Sequence, residues 1–291
     1  MRDEGRKHRH ARRRGWGFGR PKIGRTGIVL VLVSVSVTTI YPLLFVIITA
    51  VKDRKAYILD RYGLPTSPTL TNFAAAWTNA KVGQYVWNSA IVVVTAVVLS
   101  WIVCCMAGYA LSHLRFPGRR AAFFAILGSM MIAPQVIIIP LYAMLIKMDL
   151  LNEYPGLILV YVTLSAPFGT YLLTSYFKGV PTELVEAAQV DGANHAQILW
   201  RVMVPIARPA LVTLGIFNFL WMWNELLFAL LILQDDSVRT LMVGVANLRG
   251  QYTTNIPLLS AGLFLAATPV LMVFMVFQTQ LTKGMTLGAV K

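Results

Sequence analysis

Six long apolar stretches, separated by polar segments, dominate the pattern along this chain. Each is about 20 residues or longer, which is the length that an α-helix needs to cross a hydrocarbon core of roughly 30 Å. The apolar runs are continuous, whereas a barrel strand would alternate polar and apolar residues, so they predict helices. The predicted spans are residues 27–51, 86–111, 121–146, 154–177, 210–233 and 257–277.

Composition supports an all-α membrane protein. Hydrophobic residues make up 57% and charged residues 13% of the 291 positions. An ordinary soluble domain has roughly 45–50% and about 25%. The adjacent Cys104 and Cys105 lie within the second predicted span, where we interpret them as small packing residues and not as a disulfide.

The third predicted span contains Pro134, Gln135 and Pro140. Proline inside a membrane helix removes a backbone hydrogen bond and marks a kink or an unwound stretch beside a cavity. We therefore place Pro134 and Gln135 on a candidate translocation path. A kink that serves packing is the alternative.

The fifth predicted span contains Asn218, Asn224 and Glu225 among bulky apolar residues. At helical spacing Asn218, Trp221 and Glu225 would share one face. An ionised side chain at mid-membrane costs at least about 2.5–3.5 kcal/mol, so Glu225 should face protein or water. The two asparagines and Glu225 complete the candidate translocation path, with a carboxyl paired to a neighbouring helix as the alternative.

The placement of positive charge predicts the orientation of the spans. The net charge is +14, and 18 of the 26 Lys and Arg residues lie before span one, between spans two and three, between spans four and five, and after span six. By the positive-inside rule, both termini should be cytoplasmic. The basic tail, residues 1–26, is interpreted as a topology determinant that meets anionic lipid. Nucleic-acid binding is not expected, because no aromatic-interleaved module accompanies the charge.

The connector between spans four and five, residues 178–209, has a pattern of helix, break and helix. Thr182 is expected to cap the first helix, Asp191 or Asn194 the second, and Pro205 to end the second helix. His195 has no metal-ligand spacing to another His or Cys and is interpreted as a solvated side chain.

Small residues in the connector favour a docking surface. Ala187, Ala188 and Gly192 would permit close approach by another protein. A catalytic carboxylate pair of Glu186 and Asp191 is the alternative, but the sequence implies no pocket around it.

The connector also carries a resemblance. "EAAQVDG" followed by "VMVP" resembles the cytoplasmic signature of bacterial ABC-importer permeases, which is EAA, three residues, Gly, nine residues and Ile-x-Leu-Pro. Val202 and Val204 stand in for the Ile and Leu. From roughly Tyr41 onwards, stretches such as "AGYALSHLRFPGRR" and "WNELLFAL" resemble the second permease of maltose-type sugar importers. The residues to which the resemblance gives an ATPase-coupling role are Glu186, Ala187, Ala188, Asp191, Gly192 and Pro205.

The resemblance implies a type I ABC importer permease with six transmembrane helices in a bacterial cell membrane. Such a chain forms half of a pore with a second homologous permease and docks on a cytoplasmic ATPase dimer. An extracytoplasmic binding protein delivers a di- or oligosaccharide. The chain itself would be no enzyme and bind no cofactor, since ATP and Mg²⁺ belong to the partner ATPase.

Three alternatives belong to other classes or substrates. A related ABC permease could carry another solute, because such permeases share the docking signature. An ion-coupled secondary transporter would use Glu225 as its ion site. An intramembrane enzyme would need a serine–histidine pair or a metal site. The sequence contains no G-x-S-x-G or H-E-x-x-H, and no His lies in a predicted span.

Overall fold

The computed structural model describes the backbone of residues 25–251 and 255–287, and the side chains of residues 27–248 and 255–279. Most of the predicted basic tail, residues 1–26, lies outside the described residues. Within the described ranges the chain is helical and contains no strand. The α-helices are α1 (Arg25–Ala50), α2 (Arg54–Leu59), α3 (Thr71–Thr78), α4 (Val82–His113), α5 (Arg119–Ser129), α6 (Ile138–Lys147), α7 (Tyr154–Lys178), α8 (Thr182–Val190), α9 (His195–Ile198), α10 (Val204–Ile206), α11 (Arg208–Trp223), α12 (Leu227–Ile232), α13 (Leu241–Gln251) and α14 (Ile256–Leu287).

The chain divides into two units, Met1–Leu44 and Phe45–Lys291. The described part of the first unit is residues 25–44 of α1. Its Ser34, Thr38 and Thr39 hydroxyls donate to backbone carbonyls four residues earlier, at 2.8–2.9 Å. These hydroxyls are satisfied within the helix itself, as a helix in lipid requires.

Four described helices are long and apolar enough to cross a membrane: Gly27–Ala50, Val82–His113, Tyr154–Lys178 and Ile256–Thr279. They confirm as helices the first, second, fourth and sixth predicted spans. The chain is therefore a multi-pass membrane protein. The polar segment between α1 and α4 holds two short helices, α2 and α3.

The third predicted span is two helices and not one. Helix α5 and the helical segment Pro134–Lys147 are bent by 94°. Ala133, the residue before Pro134, is extended at φ −63° and ψ 126°, because the proline ring disfavours helical backbone at the preceding residue. The predicted break at Pro134 is confirmed. Counting each bent helix pair as one span gives up to six candidate spans in the described residues.

The fifth predicted span, 210–233, is also interrupted. Helix α11 ends at Trp223 and α12 begins at Leu227. The bent pair that this region forms is instead His195–Ile206 with Arg208–Trp223, at 79°. The second helix of the connector therefore leads directly into α11.

Buried apolar residues form two clusters. The first cluster joins α4 and α7 to α12, α13 and α14, and the second joins α4 and α7 to the connector and α11. Between them Ser100 Oγ and Ser165 Oγ are 2.7 Å apart and bonded inside the protein. Cys104 and Cys105 are buried and free, which confirms their predicted packing role. Helices α4 and α7 thus run through both clusters as a common support.

Candidate docking loop and translocation path

Helix α8 forms the first half of the connector. It begins at Thr182 with Pro181 in the cap position and no side-chain cap, so the predicted Thr182 cap is wrong by one residue. Val185 is buried in the second cluster, while Glu186 and Ala187 are exposed. The helix is therefore anchored by one side and presents small and acidic residues on the other.

Gly192 ends α8, as the sequence predicted for the break. Its φ is +81°, in the left-handed region. Glycine adopts this region at almost no energetic cost, whereas a residue with a side chain is strained there. Gly192 N–H donates to the Gln189 carbonyl at 3.0 Å, and Ala193 N–H donates to the Ala188 carbonyl at 2.9 Å. No heavy atom would lie within 4 Å of a Cβ at Gly192, so the turn is open on its outer side.

Asn194 starts the second helix of the connector. Asn194 Oδ1 accepts from Gln197 N–H at 2.9 Å, and Gln197 Oε1 accepts from Asn194 N–H at 2.9 Å, which is a reciprocal capping box. Of the two predicted caps, Asp191 and Asn194, the structure has Asn194.

A π-helical turn, Leu199–Met203, follows α9, and helix α10 continues through Pro205 to Ile206. The sequence predicted that Pro205 ends the second helix of the connector. In the structure the helix continues one residue past it, to Ile206. A π turn is a recognised way to interrupt the regular hydrogen-bond ladder of a helix, and proline contributes no N–H to that ladder.

His195 fastens the connector to α4. Its Nδ1 lies 3.1 Å from Tyr109 Oη, and the two rings are 6.2 Å apart. His195 is exposed, as predicted for a solvated side chain, but its contact with Tyr109 was not predicted, because periodicity carries no information on contacts between distant parts of the chain. Ile198 and Met203 are fully buried behind it in the second cluster. The connector is a packed element with an apolar inner side.

Glu225 lies in the break between α11 and α12. Its carboxylate accepts from Tyr161 Oη at 3.0 Å and from the backbone N–H groups of Phe228 and Ala229 at 3.0 and 3.1 Å. A carboxylate at a helix N-terminus is favourable for the helix dipole. Because α11 ends at Trp223, the predicted helical face shared by Asn218, Trp221 and Glu225 does not form.

The other predicted path residues lie on α11, directly after α11, and in the turn before α6. Asn218 is buried, and its amide nitrogen has no hydrogen-bond partner among the described residues. Asn224 is exposed and donates to the Leu220 carbonyl at 2.7 Å. Pro134 and Gln135 lie in a 3₁₀ turn, Pro134–Ile137, and no described hydrogen bond or ring contact joins that turn to Glu225.

Tyr161 is a site residue that the sequence pattern did not single out. It is buried on α7, bonds Glu225 and contacts Trp221 edge-on with the ring centres 5.6 Å apart. A signal existed, because a tyrosine within an apolar span usually needs a partner for its hydroxyl.

Asp236 forms a second polar cluster, in the segment between α12 and α13. It accepts from Lys81 Nζ at 2.6 Å, from Tyr85 Oη at 2.7 Å and from Arg239 at 3.0 Å. These contacts, above all the bond from Lys81, hold the pKa of Asp236 below its ordinary value. Asn88 donates to two carbonyls of the same segment at 2.9 Å. The segment is thereby tied to the start of α4.

Within the part of the chain whose side chains are described, no group of three or more His, Cys, Asp or Glu residues is placed to hold a metal ion.

Long apolar helices, two bent helix pairs and an anchored connector define an all-helical, multi-pass membrane protein. Residues 104–287 match the family of binding-protein-dependent transport system inner membrane components. The chain belongs to this family, and the matched residues include the whole connector.

Relatives extend the match beyond that range. The chain is 34% identical over 269 residues to the probable ABC transporter permease protein YurM of Bacillus subtilis, which covers 92% of this chain and 89% of the relative. It is 35% identical over 259 residues to the diacetylchitobiose uptake system permease protein NgcG of Streptomyces coelicolor, covering 88% and 86%. A solved bacterial ABC transporter that imports the acidic polysaccharide alginate contains a similar chain, with a TM-score of 0.78, 25% identity and coverage of 90% and 98%.

Proposed function

We propose that this chain is one permease subunit of an ATP-driven importer in a bacterial plasma membrane. Six spans with both termini in the cytoplasm would form half of the pore, and a second homologous permease the other half. A separate cytoplasmic ATPase dimer would bind ATP and Mg²⁺ and hydrolyse the ATP, so this chain would need no cofactor. The family membership and the positive charge near one membrane side support this arrangement.

One observation carries the proposal: the connector is packed on one side and open on the other. Val185, Ile198 and Met203 anchor it in the second cluster. Glu186, Ala187 and Gly192 remain exposed on the opposite side. A rigid element that is attached to the spans and offers a small-residue surface is suited to transmit movement from a partner. We assign ATPase coupling to this surface together with Ala188, Asp191 and Pro205 of the same connector.

The substrate class that we propose is a di- or oligosaccharide, supplied by an extracytoplasmic binding protein. Its support is that two similar proteins belong to systems for the uptake of diacetylchitobiose and of alginate. Another solute carried by the same class of permease is the second candidate.

We place the solute path beside Asn218, Asn224 and Glu225, with Pro134 and Gln135 at the bend of the third span. The buried amide of Asn218 without a partner is the strongest support, because an unsatisfied buried donor is costly unless another state or subunit satisfies it.

Bulk at Gly192 provides the test of docking. In Gly192→Ala and Gly192→Trp the new residue must adopt the same unfavourable φ of +81°. In both variants the new side chain would extend from a position where no other atom of this chain lies within 4 Å of Cβ. We expect the Ala variant to keep most of its ATPase association and uptake. The Trp variant should express normally but lose at least about tenfold in co-purified ATPase, because it blocks close approach. Ala187→Trp, which lies within helix α8, should repeat the loss without backbone strain.

Co-purification from native membranes tests the wider assembly. Recovery of the chain with an ATPase and a second permease is the expected result. Recovery of the intact chain alone, or unchanged uptake in both Trp variants, would overturn the proposal.

A further inference from the structure

A large cationic cavity lies where the α4–α5 turn meets the end of α7. Its volume is about 1130 Å³, and its cationic lining residues are Arg115, Arg119, Arg120 and Lys178. Phe123 and Phe124 form an apolar part of the wall. The cavity lies outside both the docking surface of the connector and the Glu225 cluster.

The residues that the structure describes do not neutralise the positive charge in this cavity. No Asp or Glu is among the lining residues. The ion pairs found in the described residues both use Asp236, which bonds Lys81 and Arg239. Four cations therefore face one cavity without a carboxylate partner in the part of the chain that the structure describes.

Two of the cations are held in position. Arg119 donates to the carbonyls of Ser112 and Leu114, both at 3.1 Å, so its guanidinium is fixed against the end of α4. Lys178 Nζ lies 5.0 Å from the centre of the Phe123 ring, within cation–π range. Arg115 and Arg120 are exposed at the rim, free to meet an incoming anion.

The location combines a polar rim with membrane-spanning helices. Two apolar spans, Val82–His113 and Tyr154–Lys178, both end beside the cavity. Phe124 is 67% exposed on α5, on the first turns of the bent third span. An anionic ligand with a hydrocarbon part would meet charge at the rim and apolar surface below it.

We propose that this cavity binds the phosphate headgroup of an anionic phospholipid, with an acyl chain lying along Phe123 and Phe124. The proposal goes beyond the transport function and requires only that α4 and α7 span the membrane. A polybasic site at a membrane edge attracts anionic lipid, and the interaction is screened by salt.

Lipid retention by the purified full-length chain tests the proposal. Native mass spectrometry would measure binding of phosphatidylglycerol, phosphatidylcholine and inorganic phosphate to the same preparation. We expect a preference for phosphatidylglycerol that weakens as salt rises. Arg115→Gln with Arg120→Gln should lower that affinity by about 25-fold, from roughly fivefold for each neutralised cation.

Two variants provide the controls. Arg54→Gln with Lys55→Gln removes the same charge from the exposed start of α2 and should leave the preference unchanged. Arg115→Lys with Arg120→Lys keeps the charge and should retain most of the binding. Equal retention of phosphatidylcholine, binding of inorganic phosphate with the same affinity as the lipid, or an equal loss in the α2 variant would each overturn the proposal. None of these results would alter the case for docking at Gly192.

Discussion

Asp236 shows how one residue in this chain joins distant segments. Lys81, Tyr85 and Arg239 all donate to its carboxylate, and the first two lie about 150 positions earlier in the chain. Its pKa is lowered because the ionised form accepts these bonds, with the bond from Lys81 contributing most. The stability that this residue contributes therefore depends on its being ionised.

The sign of the pH dependence follows from that lowered pKa. The contribution is full above about pH 5 and is lost as the pH falls through the unfolded pKa near 3.9 towards the lower folded pKa. We expect the thermal stability of the purified chain to fall across this range. Asp236→Asn should lose up to about 1 kcal/mol at neutral pH, since the side chain is 40% exposed, and should show a flatter pH profile.

Asp235→Asn is the matched control for this measurement. Asp235 is exposed, and no ion pair or side-chain hydrogen bond of its carboxylate occurs in the described residues. This variant should keep the pH dependence of the unaltered chain. If it flattened the profile as much as Asp236→Asn, the effect would be one of net charge and not of the three bonds.

Two helix breaks illustrate, at the scale of elements, what a sequence pattern reveals. The break before Pro134 could be predicted, because proline acts on its own neighbours. The break at Asn224 to Leu226 could not, because the stretch contains no Gly or Pro, and glutamate and leucine are good helix formers. There Glu225 bonds Tyr161 on α7, and that contact joins residues 64 positions apart.

The connector was predicted well where its signals are local. Gly192 and Asn194 are a glycine turn and a cap that act on their own neighbours, and both form as expected. The contact of His195 with Tyr109 joins residues 86 positions apart, and it could be recognised only from the folded structure. The turn and cap of the connector could therefore be predicted from the sequence, whereas its attachment to α4 could not.

The Tyr109–His195 bond should help to transmit movement from the connector to α4. We expect His195→Ala or Tyr109→Phe to lower the amount of solute transported per ATP hydrolysed by up to about fivefold, as expected for a bond worth about 1 kcal/mol. The connector should still fold, because Ile198 and the Asn194 capping box are unaffected. Transport and hydrolysis measured together in the reconstituted importer provide the ratio.

A double-mutant cycle separates this role from a general weakening of the connector. Both single variants break the same bond, so the double variant should be no worse than either one. Gln189→Ala, an exposed change on α8, should leave the ratio unchanged. Additive losses from Tyr109→Phe and His195→Ala would mean that the two residues act separately.

For the whole molecule, the two apolar clusters explain how a partner could act at a distance. Helices α4 and α7 belong to both clusters, and the connector belongs to the second. If a partner moves the connector, as proposed, the movement would act on α4 and α7, and α7 carries Tyr161 with its bond to Glu225. Tightly packed helices shift as rigid bodies between discrete arrangements and do not deform continuously.

The source of energy distinguishes this importer from an ion-driven transporter. Glu225 accepts three hydrogen bonds and caps α12, which suits a structural carboxylate. In proteoliposomes that hold the complete importer and ATP, collapse of proton and sodium gradients by ionophores should leave uptake unchanged, whereas a non-hydrolysable ATP analogue should abolish it. Glu225→Gln, whose amide oxygen still accepts from the α12 backbone, should retain at least about half of the uptake. Uptake that stops with the ionophores and with Glu225→Gln, but continues without ATP hydrolysis, would make Glu225 an ion site and the chain a secondary transporter.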